Sequence, residues 1–453
     1  MSGPRVLLVS PDYRDTPDEV PSLPVGLGYV ARSLESAGVP YEVSDLNVEP
    51  EEELLRRLKE FRPEVVGVRL ISFRQQAAYE LLARIRRAAP AALIVAGGPH
   101  LTADREGVLR DCGVIDLGVV GEGEEAFVEI VRGAPVPGIA GVLHREGAEV
   151  RFTGARAFIA DLDAVPFPTY TGFLVDRYDS AIPIASSRGC PYGCIFCGAP
   201  RILGRKWRSR SAEAMVREVG WWVGRGARSF VFNDSNFAID RVRVEAFCRE
   251  VSERGWDINF AADGIRADHL DEPLLRLMRA ARFWRLAIGV ESASDRVLAR
   301  LRKGETLAQI EKAVALATAL GFEVILFFIV GSPGETVADV EASFAFAKRY
   351  PVANVFFFSM TPIPGTPFHE WALERGYKPK SSGRYLDERF GFSDRVEFEP
   401  DGMTALEARQ CLARARGLER RIRARAQLRR RLRGLVRRVF GAGASRRLYG
   451  RPG

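Results

Sequence analysis

Cys190, Cys194 and Cys197 share one short stretch, Ser187-Arg-Gly-Cys-Pro-Tyr-Gly-Cys-Ile-Phe-Cys-Gly198. Three thiolates this close together favour a soft metal site, either an iron-sulfur cluster or zinc, because both prefer sulfur to oxygen ligands. Pro191 and Gly193 supply the turn chemistry that lets the chain wrap around a compact site instead of continuing as strand or helix. Structural zinc wants four closed ligands, and a fourth is hard to find nearby: Cys112 and Cys248 are distant in sequence, and no histidine occurs between His144 and His269. A four-iron cluster held by three cysteines would keep one iron open for a ligand. A zinc knuckle with a remote fourth ligand, and a disulfide pair with a spare thiol, are the competing readings.

The pattern Cys190-x-x-x-Cys194-x-Phe196-Cys197 resembles the signature of the radical S-adenosylmethionine (SAM) enzymes. The resemblance implies that Cys190, Cys194 and Cys197 hold a four-iron four-sulfur cluster whose open iron chelates SAM, that the cluster's electron cleaves the sulfonium, and that the resulting radical abstracts hydrogen. It places Phe196 beside the adenine. It also implies an external electron donor such as flavodoxin or ferredoxin.

Such a loop needs a scaffold, and 453 residues at 47% hydrophobic content allow two domains and an appendage. The six cysteines, half of them in one loop, make no disulfide framework, and no positively charged leader precedes an apolar signal core. No run of eighteen apolar residues is present. These features predict a cytoplasmic protein. The net charge of +8 is unevenly placed: residues 403–453 carry sixteen Arg, no Lys and two Glu, a net +14 that leaves −6 for the rest.

In residues 1–135, five short apolar runs (Val6–Val9, Tyr41–Ser44, Val65–Val68, Leu93–Ala96, Ile115–Val120) alternate with helix-length segments. Apolar strands alternating with helices predict a doubly wound parallel sheet covered on both faces. Ligands of such sheets sit at the carboxyl ends of the strands, where Gly97-Gly98-Pro99-His100 and Gly121-Glu122-Gly123-Glu124 fall. Together with Pro24-x-Gly26-Leu27-x-Tyr29, these loops resemble the cobalamin-binding domain that precedes many radical SAM cores, which implies backbone contacts to cobalamin at Gly97, Gly98, Gly121 and Gly123. The Asp-x-His-x-x-Gly ligand motif of other cobalamin proteins is absent, and Ser72-Phe-Arg-Gln-Gln-Ala77 stands in its place. Any bound cobalamin is thus expected to lack a histidine from that motif.

Residues 136–178 read as a hairpin around Glu146-Gly147 followed by a proline-punctuated linker. Residues 179–377 contain six strand-like runs (Ile182–Ala185, Phe230–Phe232, Ile258–Ala261, Leu286–Val290, Val324–Val330, Val355–Met360) separated by helical patterns, which predicts a partial (β/α)6 barrel. Barrel active sites lie at the strands' carboxyl ends, so the cysteine loop after the first run, Asp234-Ser-Asn236 after the second and later polar loops should share one rim. Gly289-Val290-Glu291-Ser292 and Gly331-x-Pro333-Gly334-Glu335 continue the family likeness, and imply SAM contacts at Glu291, Ser292, Gly331 and Glu335. No catalytic triad, phosphate-binding loop or carboxylate pair stands out, so no catalytic side chain is assigned.

The fold class is therefore α/β: a doubly wound cobalamin-binding-like domain, a partial radical SAM barrel, and a C-terminal extension at 378–453 with an Arg-rich helix. The resemblance implies a cobalamin-dependent methyltransferase acting on an unactivated carbon of a small molecule or lipid, with SAM, cobalamin and the cluster as cofactors. The runner-up is a radical SAM cyclase or oxidative C–H functionalisation enzyme without methyl transfer, and a non-catalytic cluster protein stands third. In the tail, Leu418, Ile422, Ala426, Leu428, Leu432, Leu435, Val436 and Val439 recur at helical spacing among arginines. That pattern suits peripheral contact at the anionic inner membrane face or a helix packed on the core; nucleic-acid binding ranks below both, as no reading motif accompanies the charge.

Overall fold

The computed structural model describes residues 3–14, 19–376 and 401–449, with side chains up to residue 432. The 378–453 extension therefore falls partly outside the described residues, and so do the side chains of Leu435, Val436 and Val439. The first sheet contains β1 (Val6–Ser10), β2 (Tyr41–Asp45), β3 (Val65–Arg69), β4 (Leu93–Gly97), β5 (Leu117–Val119), β6 (Val142–Glu146) and β7 (Glu149–Phe152). Its order is β2-β1-β3-β4-β5-β6-β7, parallel up to β5. The all-buried sequence of β1, Val-Leu-Leu-Val-Ser, follows from helices on both faces: Leu8 packs with Leu27, Leu34 and Phe127 on one side, and Leu7 with Leu54, Leu82 and Ile94 on the other.

Two features of the connecting segment go beyond the sequence reading. The hairpin is present, but β6 pairs antiparallel with β5, so the hairpin extends the first sheet by two strands. The proline-rich stretch after it folds back onto the first domain, where Tyr170 and Phe173 are buried and the Tyr178 hydroxyl donates to Asp45 at 2.8 Å. Pro168 and Tyr170 press so closely on the helix Val25–Ser36 that only glycine fits at position 28.

The second sheet is the expected partial barrel. Its strands β8 (Ala181–Ile184), β11 (Ser229–Phe232), β12 (Asn259–Ile265), β13 (Phe283–Glu291), β14 (Glu323–Val330) and β15 (Asn354–Ser359) are all parallel and in sequential order, open between β8 and β15. Between β8 and β11, a two-residue ribbon of β9 (Ser187–Arg188) and β10 (Arg208–Ser209) brackets the cysteine loop. Ser211 caps the next helix by accepting from the Ala214 amide.

The long helix Ala405–Tyr449 covers the outer edge of β15. Ala408, Cys411, Leu412, Ala415, Leu418, Ile422 and Ala426 are buried, so the apolar stripe of the tail faces the barrel over this length. The helix also meets the strand's free backbone: Phe357 donates its amide to Glu419 at 2.9 Å, and Arg416 donates to the Phe357 carbonyl at 3.0 Å. Leu428 and Leu432, farther along, are exposed. Among the described residues, no helix is long and apolar enough to cross a membrane.

Candidate functional site

The cysteine loop leaves β8 and is held at both ends. Asp234, at the end of β11, accepts from the Ser186 and Ser187 amides at 2.8 Å each, fixing the chain just before the loop. Gly189, with φ +87°, passes beside the carbonyls of Gly204 and Lys206, where any Cβ would clash. Cys190 donates its amide to the Gly204 carbonyl at 3.0 Å. Ile195 donates to the Leu301 carbonyl at 3.1 Å and accepts from the Phe368 amide at 3.0 Å, which pins the far end to the helices around the rim. Phe196 packs into the small apolar cluster of Ile195, Val297, Leu301, Ile329, Met360 and Phe368.

All three cysteines are free thiols. Burial pushes the Cys194 thiol up to about 11 and that of Cys197 upward as well, with the Lys303 charge pulling Cys194 the other way. Thiolates in this setting call for a metal cation to offset the desolvation. Among the described residues, no three His, Cys, Asp or Glu side chains converge tightly enough to cage one ion.

Glu291 ends β13 at a register shift, with φ +65°. Its carboxylate does not stand free at the rim: it accepts from Lys303 Nζ at 3.1 Å, and Lys303 also pairs with the buried Glu305 at 3.3 Å. Burial opposes the Lys303 charge, but Glu291 and Glu305 outweigh it and hold the ammonium above its ordinary range. A Cβ at Gly289 would run into the Glu291 carboxylate and lie 3.0 Å from Lys303 Nζ, so glycine leaves room for this pair. Nothing in the sequence reading singles out Lys303, which follows the helix Asp295–Arg300. A signal was there: only seven of the 66 basic residues are lysine.

Other rim positions carry buried polar atoms with no hydrogen-bond partner: Ser187 Oγ, both side-chain atoms of Asn236, Ser292 Oγ, Ser332 Oγ and Glu335 Oε1. They sit at the carboxyl ends of four barrel strands, on loops that polar ligands of parallel barrels use. Glu335 braces its own loop, its Oε2 accepting from the Gly331 amide at 2.7 Å and from Ser332 at 3.2 Å. Burial nevertheless pushes its carboxyl up to about 8. The unmatched donors and acceptors fit an amino-acid and ribose ligand such as SAM.

Across from the cysteines stands the carboxyl edge of the first sheet, and a cavity of about 440 Å³ separates the two. Thr102, Val120 and Gly121 form one wall, and Tyr192, Gly193, Cys194 and Cys197 the other. A Cβ on Gly121 (φ +85°) would meet only Phe158, at 4.0 Å, and one on Gly193 nothing within 4 Å, so both walls offer bare backbone to a flat ligand. Histidine is absent from the lining. These bare-backbone walls fit a flat cofactor such as cobalamin. His100 is buried and held by the Tyr79 hydroxyl at 2.9 Å from Nε2, and burial lowers its pKa to about 4.

The other cobalamin glycines are placed differently. Gly97 and Gly98 do not line the cavity; a Cβ on Gly98 would strike the Leu70 carbonyl at 2.7 Å, so this glycine serves close packing within the domain. Gly123 starts the helix Glu124–Val131. The glutamates of that loop do what spacing could not reveal. Glu122 accepts from Arg188 at 3.0 Å, from Arg208 at 2.8 Å and from the Ile159 amide at 2.6 Å, and Glu124 pairs with Arg188 at 2.6 Å. Since Arg188 and Arg208 are the ribbon that brackets the cysteine loop, these buried pairs clasp the two domains beside the cavity.

Comparison with known proteins agrees with this architecture. Residues 19–131 match the B12 binding domain and residues 184–347 the radical SAM superfamily. An uncharacterized methyltransferase, PH0819 of Pyrococcus horikoshii, is 30% identical over 385 residues, covering 82% of this chain and 83% of that one. The anaerobic magnesium-protoporphyrin IX monomethyl ester cyclase of Cereibacter sphaeroides is 27% identical over 81% of this chain and 63% of its own length. In fold, the chain is similar to the radical SAM methyltransferase TsrM from Kitasatospora setae, solved with cobalamin and a [4Fe-4S] cluster, with a TM-score of 0.69 at 21% identity over 83% of this chain and 75% of that one. With both matched domains in place and a 30% identical relative along most of its length, the chain belongs to the cobalamin-dependent radical SAM methyltransferase family.

Proposed function

We propose that this chain methylates an unactivated carbon, with Cys190, Cys194 and Cys197 holding the cluster, the rim atoms of Asn236, Ser292, Ser332 and Glu335 holding SAM, and the Thr102–Gly121 wall holding cobalamin. The observation that carries the reading is that the cysteine loop and the carboxyl edge of the first sheet open on one shared cavity. When bound, these groups supply the methyl carrier and the hydrogen-abstracting radical. The chain's own part is to position and shield: the Glu122 and Glu124 clasp fixes the distance between the walls, Asp234 and Gly189 fix the loop, and the apolar cluster around Phe196 backs the cluster side against water. The buried Glu291–Lys303–Glu305 group sets the charge beneath Cys194 and holds the rim of β13. The 27% identity to a cyclase favours, as second reading, the same cofactors without methyl transfer.

An external one-electron donor such as flavodoxin or ferredoxin belongs to this proposal, as does a small-molecule or lipid substrate. Membrane contact through the tail narrows to the helix from Leu428 onward, since the stripe up to Ala426 is covered by the barrel. The test is anaerobic reconstitution with iron, sulfide and hydroxocobalamin, followed by SAM and a reductant. We expect retained cobalamin, iron-sulfur absorbance and 5'-deoxyadenosine, all cluster-dependent signals vanishing when the three cysteines are replaced by Ala. A full cluster in the triple variant, or no retained cobalamin in the parent, would overturn the assignment.

A further inference from the structure

We propose that the cavity selects an anionic substrate, one bearing a phosphate, phosphonate or carboxylate group, through Arg105, Arg201 and Arg205. This rests on the methyltransferase reading, which brings substrate into the cavity.

Four arginines line the cavity, and one of them, Arg156, is neutralised by Glu125 and Glu129 at 2.8 and 2.7 Å. Among the described residues, the side chains of Arg105, Arg201 and Arg205 enter no ion pair and donate no hydrogen bond, in a chain whose arginines otherwise pair widely with Glu and Asp. Glu370 is the one acid in the lining. Arg201 has its charge disfavoured by burial and by Arg105, with Glu106 and Glu370 pulling the other way, so the two guanidinium groups that share this lining repel each other.

The geometry is built rather than incidental. Arg105 sits at the kink between the helices Pro99–Asp104 and Glu106–Asp111, with φ +52° and ψ −114°, a backbone region that a non-glycine residue rarely occupies. Its guanidinium lies 5.3 Å from the Phe152 ring centroid, and its Nε is buried without a partner. Arg201 is on the helix Ala199–Leu203, four residues beyond the last cysteine, and a Cβ on Gly365 would lie 3.1 Å from its Nε. The fork donors of these arginines suit a planar or tetrahedral oxyanion. Phe152, Phe158 and Tyr192 in the same lining leave an apolar face for the remainder of the substrate, and a cation would be repelled.

The phosphodiester of cobalamin is the other source of such an oxyanion, and the experiment separates the two. The full chain, reconstituted with cluster and cobalamin, is titrated with radiolabelled inorganic phosphate in equilibrium dialysis, alongside Arg201→Gln and Arg105→Gln. We expect one saturable, salt-sensitive phosphate site per chain, weakened at least tenfold in either variant, with cobalamin retention after desalting equal to the parent's. Arg201→Gln exchanges a side chain that is only partly covered and so keeps the test valid if the strained Arg105 position does not tolerate change. Absence of phosphate binding, equal binding in Arg201→Gln, or loss of cobalamin in step with phosphate would each overturn the proposal, the last by assigning the arginines to the cofactor. If the parent retains no cobalamin yet binds phosphate through Arg201, the anion site stands and the methyltransferase reading falls.

Discussion

Replacing Glu122 with Ala should loosen the two domains from each other. The carboxylate accepts from Arg188, twice from Arg208 and from the Ile159 amide, at 2.6 to 3.0 Å, and its side chain is only 6% exposed. After the change, Arg188 keeps Glu124, whereas Arg208 keeps only the carbonyls of Ile159 and Leu203. One buried charge is then left without a counter-ion, a loss of about 3–5 kcal/mol. At about 2–4 °C per kcal/mol for a domain of this size, the thermal midpoint should fall by roughly 6–20 °C. Glu125 is the internal control. It is three residues on, pairs with Arg156 at 2.8 Å at 61% exposure, and leaves Arg156 still paired with Glu129, so Glu125→Ala should cost about 0–1 kcal/mol. The assay is chemical and thermal denaturation of parent and both variants, with limited proteolysis of the 152–167 segment as a readout of domain separation. Equal midpoints for Glu122→Ala and Glu125→Ala, with unchanged proteolysis, would refute the clasp.

Further expectations concern other buried groups. Lys303→Met leaves Glu291 buried without its cation, while Glu305 keeps Arg266 at 3.8 Å and the Asp268 amide at 3.0 Å, and should destabilise the barrel by about 3–5 kcal/mol, seen as a lower urea midpoint. His100 is neutral in the fold because burial lowers its pKa to about 4, while an unfolded chain takes up the proton near 6.5. Its contribution to stability is therefore complete above pH 6.5 and is lost as pH falls towards 4; His100→Gln should flatten that limb of the stability–pH curve. A chain ending before Met403 should show increased self-association by light scattering. If the helix beyond Ala426 touches membranes, the same truncation should also abolish flotation with anionic liposomes.

Much of this molecule is legible in sequence where chemistry is local. The cysteine spacing announces its loop, and the apolar runs from Val6 to Val120 and from Ile182 to Met360 announce two parallel sheets, because strands buried on both faces must be nearly all apolar. What is not legible depends on which distant residues meet. Gly-Glu-Gly-Glu reads as a glycine loop for a ligand, yet its glutamates meet arginines 64 to 86 residues away, and nothing at 121–124 names them. Glu291 reads as a free rim carboxylate until the chain brings Lys303 under it. The tail's apolar stripe suits a membrane as well as a strand edge, because spacing sets only that one face is apolar. Arg105 and Arg201 belong to different domains, and only their docking makes a cationic corner.

The helix over β15 also bears on how the chain reaches its final state. A barrel that does not close on itself has a strand edge whose amides and carbonyls are free to recruit a neighbour, and here Glu419 and Arg416 occupy those of Phe357 in place of another strand. Those two side chains lie some sixty residues beyond the strand they protect, so a chain growing from the ribosome displays the edge before its cover has been made. Heterologous production of this protein should therefore respond to slower synthesis, lower temperature or chaperone supply more than to changes in the cofactor-bearing loops. Affinity tags or fusions are better kept away from the helix that covers β15.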